Sequence, residues 1–180
     1  MTLGTKLLRC ALPLLLLSAT RLSAAWVTHQ REPLSQTEID QLRDAAQEPA
    51  PRIKLFLQFA RARLVALQQM RADPKAADRA QQTHDKLQEF LDIYDELNDN
   101  LDTFVGRRAD LRRPLKLVIE ADTEFQADLQ ALKSSADASS AEAQQYQFLL
   151  DNVVETVDGS VQDHRQLLAD QEEAAKHKKK

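Results

Sequence analysis

Cysteine and glycine are scarce in this sequence, and their scarcity excludes several classes of protein. The 180 residues include one cysteine, Cys10, and three glycines. One cysteine cannot form a disulfide within the chain, and the Cys-x-x-Cys-His motif of c-type haem attachment is absent. Glycine-rich phosphate loops of the P-loop or Rossmann type are absent too. The sequence therefore predicts no bound cofactor and a fold that is stabilised by packing alone.

Motifs of nucleophilic catalysis are likewise missing. The chain has neither a Gly-x-Ser-x-Gly elbow nor a Ser-x-x-Lys motif. Most of its serines lie in the first 25 residues, at predicted helix starts or in polar turns. We therefore predict that the protein is not an enzyme.

Positive charge is outweighed by negative charge. The sequence has 24 basic and 28 acidic residues, which gives a net charge of −4. Nucleic-acid binding needs a basic face that can contact phosphates. The charge balance therefore argues against nucleic acid as the main partner.

The first 25 residues have the order of a secretory signal peptide. Lys6 and Arg9 form a short basic start, residues 10–19 are mostly apolar, and Ser23 to Ala25 are small. This order predicts export to the periplasm or the extracellular space, with cleavage after Ala25. The apolar run has about ten residues, fewer than the ~20 that a membrane-spanning helix needs. The mature chain would have no transmembrane segment and, with 21 basic and 28 acidic residues, a net charge of −7.

The rest of the chain has the pattern of an all-α protein. After residue 50, apolar residues recur at helical spacing, and no window alternates as a half-buried strand does. Ser35 and Glu38 form a capping box that begins a short helix. The predicted helices cover about residues 37–47, 51–72, 74–105, 114–132 and 140–170. We expect an elongated antiparallel bundle of about four long helices, preceded by a cleaved signal peptide and one short helix.

Finer features follow from the same pattern. Gly106 is predicted to take the left-handed position past the end of the third helix, and the chain is predicted to fray from Gln171 onward. Whether the short helix packs on the bundle is left open. The predicted segments are residues 1–25 (signal peptide), 26–50 (extended segment with the short helix), 51–175 (helical bundle) and 176–180 (disordered basic tail).

Two histidines and one aspartate fall on apolar stripes of the predicted helices. In a bundle, His84 and His164 lie at heights that differ by about 20 Å, so one metal ion cannot bridge them. We interpret each as a core or boundary histidine with one hydrogen-bond partner. Asp122 is expected either as a buried acid or, as is more common for such a residue, at the edge of its stripe and paired with an arginine.

Four aspartates repeat along one face of the third helix. Their spacing of three, four and three residues stacks carboxylates that repel one another, which favours a cation or a basic partner. A solvated face opposite the core explains the same pattern. The metal candidates are Asp92, Asp95, Asp99 and Asp102.

Basic residues cluster at the corner after this acidic row and at the C-terminus. Pairing within the chain accounts for the arginines, and a solubilising tail accounts for the lysines. The alternative is a site for an anion, or a weak contact with an anionic lipid surface. The candidate interaction residues are Arg107, Arg108, Arg112, Arg113, Lys178, Lys179 and Lys180.

These observations leave two functional hypotheses. The leading one is an exported, non-enzymatic helical bundle that binds another protein or a component of the cell envelope through exposed helix faces and the charged corner. The alternative is a periplasmic bundle that binds a metal ion or a small ligand on its acidic face.

Overall fold

The computed structural model describes residues 33–136 and 139–177, and no strand occurs among them. The predicted all-α bundle with four long helices and one short helix is confirmed. The predicted signal peptide and the extended segment up to residue 32 lie outside the described residues. The helices are α1 (Gln36–Asp44), α2 (Pro49–Ala72), α3 (Arg79–Gly106), α4 (Arg112–Ser135) and α5 (Gln147–His177), with a 3-10 turn at Ala143–Gln145.

The short helix α1 begins with the predicted capping box. The Ser35 hydroxyl accepts a hydrogen bond from the Glu38 N–H at 3.3 Å, and the Glu38 carboxylate accepts one from the Ser35 N–H at 2.7 Å. Arg63 of α2 also donates to Glu38, with 2.7 Å between Nη2 and Oε2. Leu42 is buried in the core. The short helix therefore packs on the bundle, beside α2.

The start of α3 differs from the prediction. The sequence places this start directly after Asp73 and Pro74, whereas α3 begins at Arg79. Asp73 Oδ1 accepts a hydrogen bond from the Lys75 N–H at 2.8 Å, so this side chain stabilises a turn. Asp78 then takes a left-handed conformation, with φ 48°, immediately before the helix.

The end of α3 also differs from the prediction, in the residue that takes the left-handed conformation. Gly106 is the last residue of the helix and does not have a positive φ, whereas Arg108 has φ 57°. The N–H of Arg108 bonds to the carbonyl of Val105 at 2.8 Å, and the N–H of Ala109 bonds to that of Phe104 at 3.0 Å. These two bonds form a Schellman motif, in which the left-handed position is usually taken by glycine. The prediction of a left-handed cap at Gly106 is wrong, because an arginine takes that position two residues later.

The four long helices form two antiparallel hairpins, α2–α3 and α4–α5. Between the hairpins, α2 packs beside α4 and α3 packs beside α5. The first of these pairs is parallel, since residues 61 and 71 of α2 lie beside residues 124 and 135 of α4. The α3–α5 pair is also parallel. Asn98 of α3 bonds to Ser160 in the middle of α5, and Leu111 of the connector that follows α3 bonds to Gln171 near the end of α5. The prediction of an antiparallel bundle therefore holds within each hairpin and is wrong between them.

This arrangement places α3 and α4 across the bundle from each other, although they are consecutive in the chain. The connector 107–111 joins them at one end of the bundle. Their side chains meet in the centre, where the rings of Phe90 and Phe125 are 5.3 Å apart in an edge-to-face arrangement. Both side chains are fully buried, as are most residues of the predicted apolar stripes. Burial of a side chain of this size contributes about 1.5–3 kcal/mol to the stability of the fold.

The last helix continues past the point where the sequence predicts fraying. Gln171 accepts a hydrogen bond from the Leu111 N–H at 2.8 Å and donates one to the Ala109 carbonyl at 3.3 Å. These bonds fasten the end of α5 to the connector, so that Lys176 and His177 are still helical. Within the described part of the chain, no helix combines the length and the apolar character needed to cross a membrane.

Candidate functional site

One end of the bundle collects basic side chains from two helices, α4 and α5, and from the connector 107–111. α3 and α5 end there, and α2 and α4 begin there because they run parallel. The positive ends of the α2 and α4 dipoles and the negative ends of the α3 and α5 dipoles therefore lie together and largely offset each other, so the positive charge of this end comes from its side chains. We define the basic end as Arg107, Arg108, Arg112, Arg113, Lys116 and Lys176. The structure thus brings the four predicted interaction arginines together with two further lysines.

An open cleft of about 660 Å³ lies at the basic end. It is bounded by the first turns of α2 and α4 and by the last turns of α5. Its charged lining has four basic and two acidic side chains, an excess of two positive charges, from Arg112, Arg113, Lys116, Lys176, Asp110 and Glu172.

Two of these basic groups are paired with carboxylates. Arg112 Nε donates to Asp110 Oδ1 at 2.8 Å, and this guanidinium holds the pKa of Asp110 well below its usual range. Lys116 Nζ lies 3.3 Å from Glu172 Oε1. Both pairs are exposed to solvent, so each contributes little to stability. The predicted pairing of the arginine cluster therefore holds for Arg112, whose partner lies in the connector.

The acidic row lies on the outer face of α3, as the alternative interpretation of its pattern expects. Asp95, Asp99 and Asp102 are exposed, and Asp92 accepts a hydrogen bond from Gln88 Nε2 at 2.7 Å. Partial burial, together with the charges of Asp92 and Asp99, raises the pKa of Asp95. Among the described residues, no three His, Cys, Asp or Glu side chains come together so that they could hold a metal ion. These four carboxylates are spread along a helix.

The remaining candidates are the three C-terminal lysines and His84. Lys178, Lys179 and Lys180 lie outside the described residues. His84 is half exposed on α3, with its Nδ1 3.9 Å from Asp85 Oδ1. The described part of the basic end therefore consists of its four arginines together with Lys116 and Lys176.

A polar network crosses the centre of the bundle, and it was not predicted from the sequence. Asp122 Oδ1 accepts a hydrogen bond from the Tyr94 hydroxyl at 2.8 Å, and Asp122 Oδ2 lies 2.8 Å from His164 Nδ1. His164 Nε2 lies 3.1 Å from Asn98 Oδ1, and Asn98 Nδ2 donates to Ser160 Oγ at 3.1 Å. Burial and the neighbouring charge of Asp122 raise the pKa of Tyr94 well above its ordinary value. Three helices, α3, α4 and α5, meet in this network.

The network corrects one expectation and supports another. Asp122 is fully buried and bonded to Tyr94 and His164, so it is the buried acid of the first interpretation, and the alternative of an arginine partner at a stripe edge is wrong. His164 is a core histidine, as predicted, with two partners rather than one. The signal in the sequence was a polar residue at a stripe position in each of three helices. Pairing those residues required knowing that α3 and α4 face each other across the bundle.

The geometry of the network differs from that of a catalytic triad. In a triad, the histidine nitrogen that points away from the aspartate faces the serine hydroxyl. Here that nitrogen, His164 Nε2, faces the Asn98 side chain instead. With the Asp122 carboxylate enclosed among packed side chains, the arrangement fixes the positions of three helices.

Comparisons with known proteins add no further assignment. No protein-family model matches this chain, and no significant match occurs among curated proteins or among solved structures.

Proposed function

We propose that this chain is an exported, non-enzymatic helical bundle that binds another protein or a component of the cell envelope. Export is supported by the order of basic, apolar and small residues in residues 1–25. A non-enzymatic role is supported by Asp122 and His164, because the core network occupies both side chains.

The observation that carries the binding proposal is the exposure of Phe148. This side chain is 88% exposed in the first turn of α5, more than any other large apolar side chain in the described ranges. Aromatic side chains are enriched at protein interfaces and often provide their binding hot spots. Burial of Phe148 against a partner would contribute about 1.5–3 kcal/mol to binding. We therefore expect the partner to cover the start of α5.

Site-specific crosslinking in intact cells tests this proposal. A photoreactive residue placed at position 148 is expected to crosslink one reproducible protein partner. The matched control is the same residue at position 65, because Val65 is 41% exposed on α2. A product that forms from both positions alike would indicate random collision.

Affinity measurements with the captured partner complete the test. Phe148→Ser should weaken binding by about tenfold or more, since the contribution of a buried phenylalanine is about 1.5–3 kcal/mol. Val65→Ala should leave the affinity within about twofold, and neither change should lower the melting temperature much. A chain that stays monomeric and yields no crosslink at position 148 would contradict the proposal.

A further inference from the structure

Four basic groups of the basic end form no salt bridge with a carboxylate within the described ranges, and one of them, Arg107, lies over the Phe104 ring instead. Arg113 and Lys176 line the cleft and are exposed, and Arg108 is exposed on the connector. The two carboxylates of the cleft, Asp110 and Glu172, are held by Arg112 and Lys116. The unpaired cations are therefore available to an anionic partner.

The backbone of Arg108 gives independent support for a role of this charge. Its φ of 57° lies in the left-handed region, where residues other than glycine are disfavoured. The structure around Arg108 makes the Schellman motif that glycine usually completes. An arginine at such a position places a positive charge at the end of the bundle at a cost in backbone energy. Strained positions of this kind often occur at functional sites.

Apolar side chains lie beside these cations in the chain. Leu117 is 46% exposed and lies one turn of α4 after Arg113. Val105 is 37% exposed in the last turn of α3, three residues before Arg108. A surface that combines basic groups with exposed apolar groups suits a lipid interface, where headgroups carry the anions and the acyl boundary is apolar.

We propose that the basic end docks on a membrane surface that contains anionic phospholipids. This inference rests on the export and envelope association of the proposed function, and it concerns the end of α5 opposite to Phe148. Cations from α4 and α5 line an open cleft, and Arg108 of the connector lies beside it, so an extended anionic surface can neutralise them together. The sequence continues from His177 with three more lysines, which add charge of the same sign. An acidic protein surface is the competing partner, and the experiment separates the two.

Vesicle co-sedimentation with the full chain tests the inference. The vesicles contain either phosphatidylcholine alone or phosphatidylcholine with phosphatidylglycerol, in about 50 mM salt, where surface charges are weakly screened. The test variant is Arg113→Glu with Lys176→Glu. The control is Lys75→Glu with Arg165→Glu, which changes the net charge equally at two exposed sites away from the basic end.

The expected results differ sharply between the two variants. The test variant should lose about tenfold or more in partition to the anionic vesicles, since each basic residue near such a surface contributes about a factor of five. The control variant should stay within about twofold of the unchanged chain. Binding through the apolar residues 10–19 would be the same in all variants and would persist on phosphatidylcholine alone.

Arg108→Gly provides a second variant that cannot fail through misfolding. Glycine suits the left-handed backbone at this position, so the melting temperature should rise. Partition to anionic vesicles should nevertheless fall about fivefold, because one of the free cations is lost. A variant that gains stability and keeps its full vesicle binding would show that the Arg108 charge has no part in docking.

Three results would overturn the inference. Equal losses in the test and control variants would show that only net charge matters. Equal binding to both kinds of vesicle would show that headgroup charge does not matter. Binding of the basic end to polyglutamate, with no binding to anionic vesicles, would assign it to an acidic protein surface. If crosslinking at position 148 still captures a partner, only the membrane inference falls and the proposed function stands.

Discussion

Replacement of Asp122 by alanine removes the central acceptor of the buried network. The carboxylate accepts a hydrogen bond from Tyr94 and is bonded to His164, and its exposed fraction is 0%. Without it, the Tyr94 hydroxyl and His164 Nδ1 remain inside the core with no acceptor in place. The helices that carry these groups, α3 and α5, prevent either from reaching water without local opening.

The size of the effect follows from the number of groups left unpaired. Each buried donor without an acceptor costs about 1–3 kcal/mol. Two such donors, on Tyr94 and His164, together cost about 2–6 kcal/mol. We therefore expect Asp122→Ala to lower the free energy of unfolding by about 2–6 kcal/mol, a large part of the ~5–15 kcal/mol of a typical domain. Tyr94→Phe, which removes a single donor, should cost about 1 kcal/mol.

Urea unfolding followed by circular dichroism at 222 nm measures both changes. In the double variant, the cost should be less than the sum of the two single costs by about 1 kcal/mol, because both variants break the same hydrogen bond. A cost below about 1 kcal/mol for Asp122→Ala, or strict additivity with Tyr94→Phe, would refute the reasoning that this network holds α3 and α4 together.

Two further predictions concern α1 and α5. Hydrogen bonds from Arg63 lower the pKa of Glu38 from 4.5 to about 2. Because the pKa is depressed in the folded state, the stabilisation is complete above pH 4.5 and is lost as the pH falls towards 2. Glu38→Gln should therefore melt at a lower temperature than the unchanged chain at pH 7, and the two should converge near pH 2; a constant difference would contradict the assignment. Gly159 lies inside α5, and an added Cβ would meet no atom within 4 Å. Gly159→Ala should therefore raise the free energy of unfolding by about 0.5–1 kcal/mol, with Gly106→Ala at the helix end as a smaller-effect control; an unchanged or lower value would show strain at position 159.

The helices could be predicted from the sequence because their signals are local. The Ser35–Glu38 capping box and the apolar stripe of α2 each involve residues within a few turns of one another. Buried residues such as Leu64 and Leu97 follow directly from that spacing. Among these local predictions, those that were wrong concern the helix ends, where a local hydrogen bond determined whether a residue joins the helix or a turn. At Asp73 the side chain bonds to the Lys75 N–H and stabilises a turn instead of beginning α3.

The arrangement of the helices could not be predicted in the same way. Short connections are compatible with more than one order around a bundle, and nothing in the spacing of α3 and α4 shows that they lie diagonally. The partners of Asp122 depend on that diagonal, so the sequence could only mark Asp122 as a polar residue in an apolar stripe. The four arginines of the basic end could be identified from sequence, and Lys116 lies one helical turn after Arg112, whereas Lys176 joins them only because α4 begins where α5 ends.

The diagonal step from α3 to α4 also sets an order for folding. Within each hairpin, contacts form between residues close in sequence, whereas the hairpins meet through pairs such as Arg61–Glu124 and Asn98–Ser160, which are 63 and 62 residues apart. Contacts of short separation cost less loop entropy and form earlier. We therefore expect the hairpins α2–α3 and α4–α5 to form first and to dock afterwards. The bonds of Tyr94 and Asn98 to the second hairpin then form only when the two hairpins are in the native register. The polar network therefore favours that register over other ways of packing the hairpins.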